Sequence, residues 1–274
     1  MKYLLTTIAL VAGIAAGVAS ANGSPYSPGL VYGWNGVGAG DGVRYVAFGM
    51  PRSTIVAAVR ARDGRVLRSN VVRGEYGVPL VAYNGTSGGL SGDKKSLVLG
   101  WYGPLPGQSG KTRFVVLDTR TLAPRRAIVL AGSWSFDAVS PTAATLYFTE
   151  HLRAGDRPLY RVRTYDARSG RLRGAIVDRL EGEEEMGGQP VARASSARGR
   201  WAYTLYARRT DAPFVHALDT VKGEAVCIDL PLRLGYGAQW ALGLDLGRDG
   251  KSLAVIRGRS EVAAIDTSTW KVSG

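Results

Sequence analysis

Cysteine is almost missing from this chain. Cys227 is the only one, so no internal disulfide can form and stability has to come from packing. Its setting, "EAVCIDLP", reads as a strand, where a thiol behaves as a small buried hydrophobe. Histidine is nearly as scarce: His151 and His216 are the only two among 274 residues. A histidine metal centre needs several ligands, and neither metal nor cofactor is expected. The phosphate-cradling motif G-x-x-x-x-G-K-[ST] is missed: Gly110, Lys111 and Thr112 match, but Leu105 stands where the first glycine belongs. "RFVVLD" follows, a β-branched run and not the helix whose N-terminus would hold an anion. "GPLPGQSGK" is therefore a proline-glycine loop between strands.

Blocks of one charge are also few. The formal net charge is +13, from 35 basic and 22 acidic residues, but the arginines are scattered and no basic arm of the nucleic-acid type occurs. The charge leaves two readings, an ordinary solvated surface or an anionic envelope polymer as partner. The single acidic run, "EGEEEM" from Glu181 to Met186, lacks the alternating ligands of a calcium loop and reads as a solvated loop. "NGT" at Asn84 has the glycosylation form, which matters only in a pathway that glycosylates.

The first residues have the three parts of a secretory signal peptide: Lys2, an apolar stretch from Leu4 to Val18, and Ala19-Ser20-Ala21 before a cleavage point at Asn22. A membrane span takes about 20 apolar residues, more than this run supplies. The expectation is an exported protein with a single domain over 22–274.

What the sequence does have is glycine, 37 in all, β-branched runs, and a repeat. "IVAAVRARDGRVL", "FVVLDTRTL", "YRVRTYDARSGRL", "FVHALDTVKGEAV" and "EVAAIDTSTWKV" align at Arg60, Asp118, Asp166, Asp219 and Asp266. A second element precedes each copy, as in "SGDKKSLVLGW" and "GRDGKSLAVIR". Each unit reads as four short strands. The aspartate starts a tight turn by accepting a backbone N–H about two residues on. Gly64, Gly170 and Gly223, four positions past the aligned residue, suit a positive φ; Leu122 and Trp270 stand there in the other two copies.

Four-stranded units of about 40–50 residues are the mark of β-propeller blades. A single such sheet cannot bury both faces, and radial packing supplies a neighbour for each. "SPTAATLYFTE" followed by "YRVRTYDARSGRL" resembles the YVTN-type and WD-repeat-like propellers of exported bacterial proteins, over nearly all of residues 24–274, although the Trp-Asp dipeptide of true WD repeats is absent. The resemblance implies an all-β propeller of about five four-stranded blades, with six blades or an open ring as alternatives. It also suggests closure by a strand from the other terminus, here Asn22 to Tyr32 donated to the fifth unit. It implies a shape and no reaction, since such propellers include both lactone hydrolases and scaffolds.

Loops that lead into first strands and join second to third strands share one face of a propeller. That places Trp34, Trp134, Gln189 and Trp240, with Tyr83, near one mouth of the channel, as a floor for a glycan or peptide; packing between blades is the competing reading of the tryptophans. The second-to-third loops also carry Arg52, Lys111 with Arg113, Arg153 with Arg157, Arg208 with Arg209, and Arg257 with Arg259, a ring suited to an anionic ligand. The function expected is a secreted, non-catalytic scaffold that binds a ligand or partner protein. The alternative is a hydrolase or lactonase with acidic and histidine side chains, Glu150 and His151 among them, converging in the channel.

Overall fold

The computed structural model describes residues 27–153, 158–180 and 182–274. The signal-peptide reading falls outside them, as do Asn22 to Tyr26, Arg157 and Glu181. Each repeat folds as an antiparallel meander. The first sheet runs Gly33–Gly38, Val43–Met50, Ser53–Arg60, Val66–Arg73. The second has three regular strands, Ser96–Trp101, Lys111–Asp118 and Pro124–Ala131. The third runs Trp134–Val139, Thr145–Arg153, Leu159–Asp166, Arg171–Ala175, with Met186–Gly187 also paired to its third strand. The fourth runs Gln189–Ser195, Trp201–Ala207, Phe214–Asp219, Glu224–Asp229. The fifth runs Leu242–Leu246, Ser252–Arg257, Ser260–Asp266, Val272–Ser273. Tyr236–Gln239 forms a single helical turn. Tyr102 to Gly110, the near miss of a phosphate loop, joins two strands.

Successive residues of a strand point to opposite faces, and this alternation connects the sheets. Leu97 and Leu99 pack with Val56 and Ala58 of the first sheet. Val98, between them, packs with Phe136 and Phe148 of the third. Tyr147 of the third meets Ala202 and Leu218 of the fourth, and Leu205 and Val215 of the fourth meet Leu253 and Val255 of the fifth. Consecutive meanders packed face to face in chain order make the fold an all-β propeller. The last strands of the first three sheets are the most exposed and carry arginines, as in Pro124–Ala131, which discourages edge pairing.

The turns repeat more strictly than the residue types do. The residue four past the aligned position has φ near +60 to +70° in every copy: Gly64 (71°), Leu122 (58°), Gly170 (72°), Gly223 (72°) and Trp270 (61°). In each, its N–H donates to the carbonyl of the aligned residue, at 2.7–2.9 Å. The hairpin between first and second strands behaves likewise, with Gly42 (79°), Lys94 (60°), Ala143 (56°), Gly199 (70°) and Gly250 (70°). So the left-handed conformation is demanded by the hairpin, and glycine is only its least strained occupant.

Two expectations are corrected. The second unit has no regular first strand: Gly77 to Gly92 makes isolated bridges, Gly77 with Gly100 and Leu90 with Leu97. Five glycines in that stretch weaken any strand. The donated strand also goes elsewhere. Leu30–Val31 pairs with Val78–Pro79 of the second unit, while the fifth sheet takes its fourth strand from its own end, Val272–Ser273 against Ala264 and Ile265. The irregular second unit leaves a free edge near Val78, and the chain's own start covers it.

Two outcomes follow. A Cβ at Gly250 meets nothing within 4 Å, so Gly250→Ala isolates the backbone strain and should lower stability by about 1–2 kcal/mol. Lys94→Gly should raise it by up to about 1 kcal/mol, the relief being offset by unfolded-chain entropy; urea unfolding measures both. Acid supplies the second test. The Ser169 amide and then the Arg173 guanidinium hold Asp166 at about 2, and the Ser268 hydroxyl and then the Thr269 amide hold Asp266 at about 2. Both lie below the unfolded value of about 3.9, so their contribution is present above pH ~4 and lost as pH falls toward 2. Replacing both with Asn should flatten the fall in melting temperature over that window.

Candidate functional site

The irregular second unit shapes the site. With no strand to hold it, Leu80 to Gly92 crosses toward the other sheets. The Tyr83 N–H donates to Pro190 O (2.8 Å) and the Asn84 N–H to Val191 O (3.1 Å), both on the fourth sheet. Ser87 Oγ donates to Gly36 O of the first sheet at 3.0 Å. Between this segment and the ends of three first strands lies a cavity of about 280 Å3, lined by Ala39, Ser87, Gly88, Asp137, Arg193 and Ser195 among others.

Its floor is charged. Asp137 and Arg193 leave only 5 % and 4 % of their side chains exposed and are paired through Arg193 Nη2 and Asp137 Oδ1. Arg193 Nη2 also donates to Asp137 O at 2.9 Å. Asp137 Oδ2 and Arg193 Nε have no hydrogen-bond partner in the protein. Asp137 is the extra residue of a β-bulge, the register skipping from Phe136 to Ala138, and bulges re-aim side chains in this way. A buried pair with one acceptor and one donor unused costs desolvation that packing does not return, which makes it the candidate site.

Asp137 also borders a second, smaller space of about 20 Å3 with Ser135, His151, Tyr160 and Tyr206. Ser135 Oγ and His151 Nε2 lie 2.9 Å apart, the separation of a nucleophile and its base. The space holds about one water and no substrate. Burial pushes His151 down to about 4, so the ring is neutral near pH 7. Glu150 faces the other way, as neighbours on a strand must. It accepts from Arg161 Nε at 2.7 Å and from Arg163 Nη1 at 3.4 Å. Glu150, His151 and the glutamate run do not converge: Glu183, Glu184 and Glu185 border a different cleft, beside His216. Burial pushes His216 down to about 4 as well. Among the described residues, no group of three His, Cys, Asp or Glu side chains is placed to hold a metal ion.

The expected aromatic floor is partly assembled. The Tyr83 and Trp240 rings lie 5.2 Å apart, and Tyr236 stands edge-on to Trp240 at 6.0 Å. The Arg209 guanidinium lies 5.2 Å over the Tyr236 ring, a cation–π distance. Gln189 begins the strand whose next residue, Pro190, receives the Tyr83 N–H. Trp240 is 39 % exposed, as a contact surface requires. The other two tryptophans lie apart. Trp134 is 4 % exposed in the core shared by the second and third sheets, its indole N–H donating to Ala131 O at 2.7 Å. Trp34 is 51 % exposed and packs edge-on against Phe48 on the first sheet.

Several of the basic residues are already engaged within the protein. Arg208 is tied to Asp229 Oδ1 (2.5 Å), to Ala212 O (2.6 Å) and to the Phe214 face. Arg113 stacks on Trp101 at 4.6 Å, and Arg52 is anchored through its N–H to Glu75. Lys111, Arg153, Arg257 and Arg259 are exposed at strand ends and loops.

No family model matches the chain, and no curated protein does. Solved structures do. Hydrazine synthase of Kuenenia stuttgartiensis is 15 % identical, over 83 % of this chain and 74 % of that one, with a TM-score of 0.44. The Cps50 (Swd1) β-propeller domain of Myceliophteria thermophila is 12 % identical, over 82 % and 65 %, at 0.46. A functionally unknown protein of Desulfotomaculum acetoxidans is 12 % identical, over 85 % and 65 %, at 0.48. This chain thus spans just under two thirds of the last two. At such identities no activity or ligand passes from them to this chain.

Asp137, Arg193 and Tyr236 were not singled out by sequence reasoning. The first two had a signal, a charge inside an otherwise apolar or small first strand: "SFDAV" and "PVARA". Arg193→Met should cost about 3–5 kcal/mol, because it strands the Asp137 carboxylate. Adding Asp137→Leu should recover most of that loss. Urea unfolding of the two variants checks the order.

Proposed function

We propose that this chain is an exported, non-catalytic β-propeller of the YVTN-type or WD-repeat-like kind, its five sheets forming five blades, which acts as a scaffold that binds a small polar ligand. The Asp137–Arg193 floor of the 280 Å3 cavity carries this reading, since it leaves an acceptor and a donor buried without partners. A polyol or a zwitterion has a group for each. The Tyr83, Tyr236, Trp240 and Arg209 surface is a second, open platform for a glycan or partner protein. The net charge of +13 and the exposed Lys111, Arg153 and Arg257 suit an anionic envelope polymer as partner. The hydrolase reading has one observation in its favour, the Ser135–His151 contact, and the 20 Å3 beside it counts against a substrate.

A thermal-shift series on the chain with monosaccharides, polyols and amino acids tests the cavity. A ligand at 100 times its Kd adds about 2.7 kcal/mol, a rise of roughly 5–10 °C at this size. Ala197, exposed on the turn that lines the cavity, offers a way to block it. Ala197→Trp should keep the unliganded melting temperature and abolish the shift. A shift that survives this variant places the ligand elsewhere, and no shift across the series removes the reading.

A further inference from the structure

A separate cleft of about 90 Å3 lies between the third and fourth sheets, with Met186, His216 and Cys227 on its wall and Glu183, Glu184 and Glu185 around it. His216 and Cys227 face each other in register on adjacent antiparallel strands, which puts their side chains on one face with Cβ atoms about 5 Å apart. Met186 enters from the short strand paired to Tyr160, and its Sδ lies 3.8 Å from Cys227 Sγ. Two sulfurs each ~2.3 Å from one trigonal metal would lie ~4 Å apart, which is close to this spacing. His216 is 3 % exposed and its Nδ1 has no hydrogen-bond partner. Asp178 Oδ2 accepts the Cys227 N–H at 2.9 Å, holding the strand that carries the thiol.

We propose that this cleft binds a soft monovalent metal ion, Cu(I), through Cys227 Sγ, Met186 Sδ and His216 Nδ1. Thiolate and thioether select Cu(I), and imidazole completes a set that calcium and magnesium do not use. The three glutamates outnumber the one cation on the lining, Arg208, which Asp229 pairs, so the cleft attracts a cation although Arg161 lies in the field of Glu184 and Glu185. Binding is a proton exchange with no electron transfer: the thiol proton leaves to solvent as the Cu–S bond forms, and the metal stays Cu(I).

The test is an anaerobic titration of the reduced chain with Cu(I) against bicinchoninate, whose coloured complex reports the metal withdrawn. One equivalent should move to the protein, with a thiolate-to-metal absorption in the near ultraviolet. Met186→Leu and His216→Asn should each weaken binding at least tenfold, and Cys227→Ser should abolish it, with melting temperatures run alongside. Met186→Leu conserves volume at a half-buried position and keeps the test open if His216→Asn unfolds. No transfer, or binding unchanged in Met186→Leu, overturns the proposal, the latter by reducing it to capture by a thiol alone. Zn(II) held as tightly, with the same dependence on Met186, overturns the choice of a soft ion.

Discussion

Everything in this fold depends on a sheet that cannot bury both of its faces by itself. A meander with apolar residues at successive positions, such as Leu97, Val98 and Leu99, would leave one set in water if it stood alone. At about 1.5–3 kcal/mol for each large side chain buried, the exposed set would cost more than a small sheet can meet. Repetition solves this, because each meander is the lid of the next. The larger cores therefore lie between sheets.

That constraint also explains where the fold departs from its rule. A first strand lies among several others and has least freedom to bulge or hold charge. Yet the first strand of the third sheet bulges at Asp137, and that of the fourth carries Arg193 in its interior. The second unit gives up its first strand altogether in a run of glycines. These departures meet at one cavity. Each costs backbone regularity or desolvation, and the proposed ligand would give their coincidence a reason.

The repeat and the hairpins were legible because both rest on local chemistry. An aspartate that accepts the N–H groups two and three residues ahead, as Asp118, Asp166, Asp219 and Asp266 do, is visible in one copy and certain in four. Leu122 and Trp270 hid the uniformity of the turn: a residue that tolerates strain because its side chain is well packed leaves no sign in the pattern. Leu122 is fully buried, and Trp270 packs against Trp201. Closure was misread because strand donation is decided by which edge is open, and the open edge arose from glycines much later in the chain. The aromatic floor was half legible. Tryptophan marks a large surface, but whether it faces solvent like Trp240 or the core like Trp134 depends on the neighbouring sheet.

The two proposed sites differ in what the chain must supply. In the cavity floored by Asp137 and Arg193 the protein holds a charge pair already formed, with one acceptor and one donor left over, so a ligand would add hydrogen bonds without separating ions. In the cleft between the third and fourth sheets, two sulfurs and an imidazole stand together beneath carboxylates, and the attraction is of a soft centre for soft donors. Loops complete the lining of both, but the paired charges and the two sulfurs with the imidazole do not come from them. Both sit on strands whose positions are set by packing on either side. The same mutual burial that hides the apolar faces thus holds these polar groups in place, and it spares the ligand the entropy of ordering them.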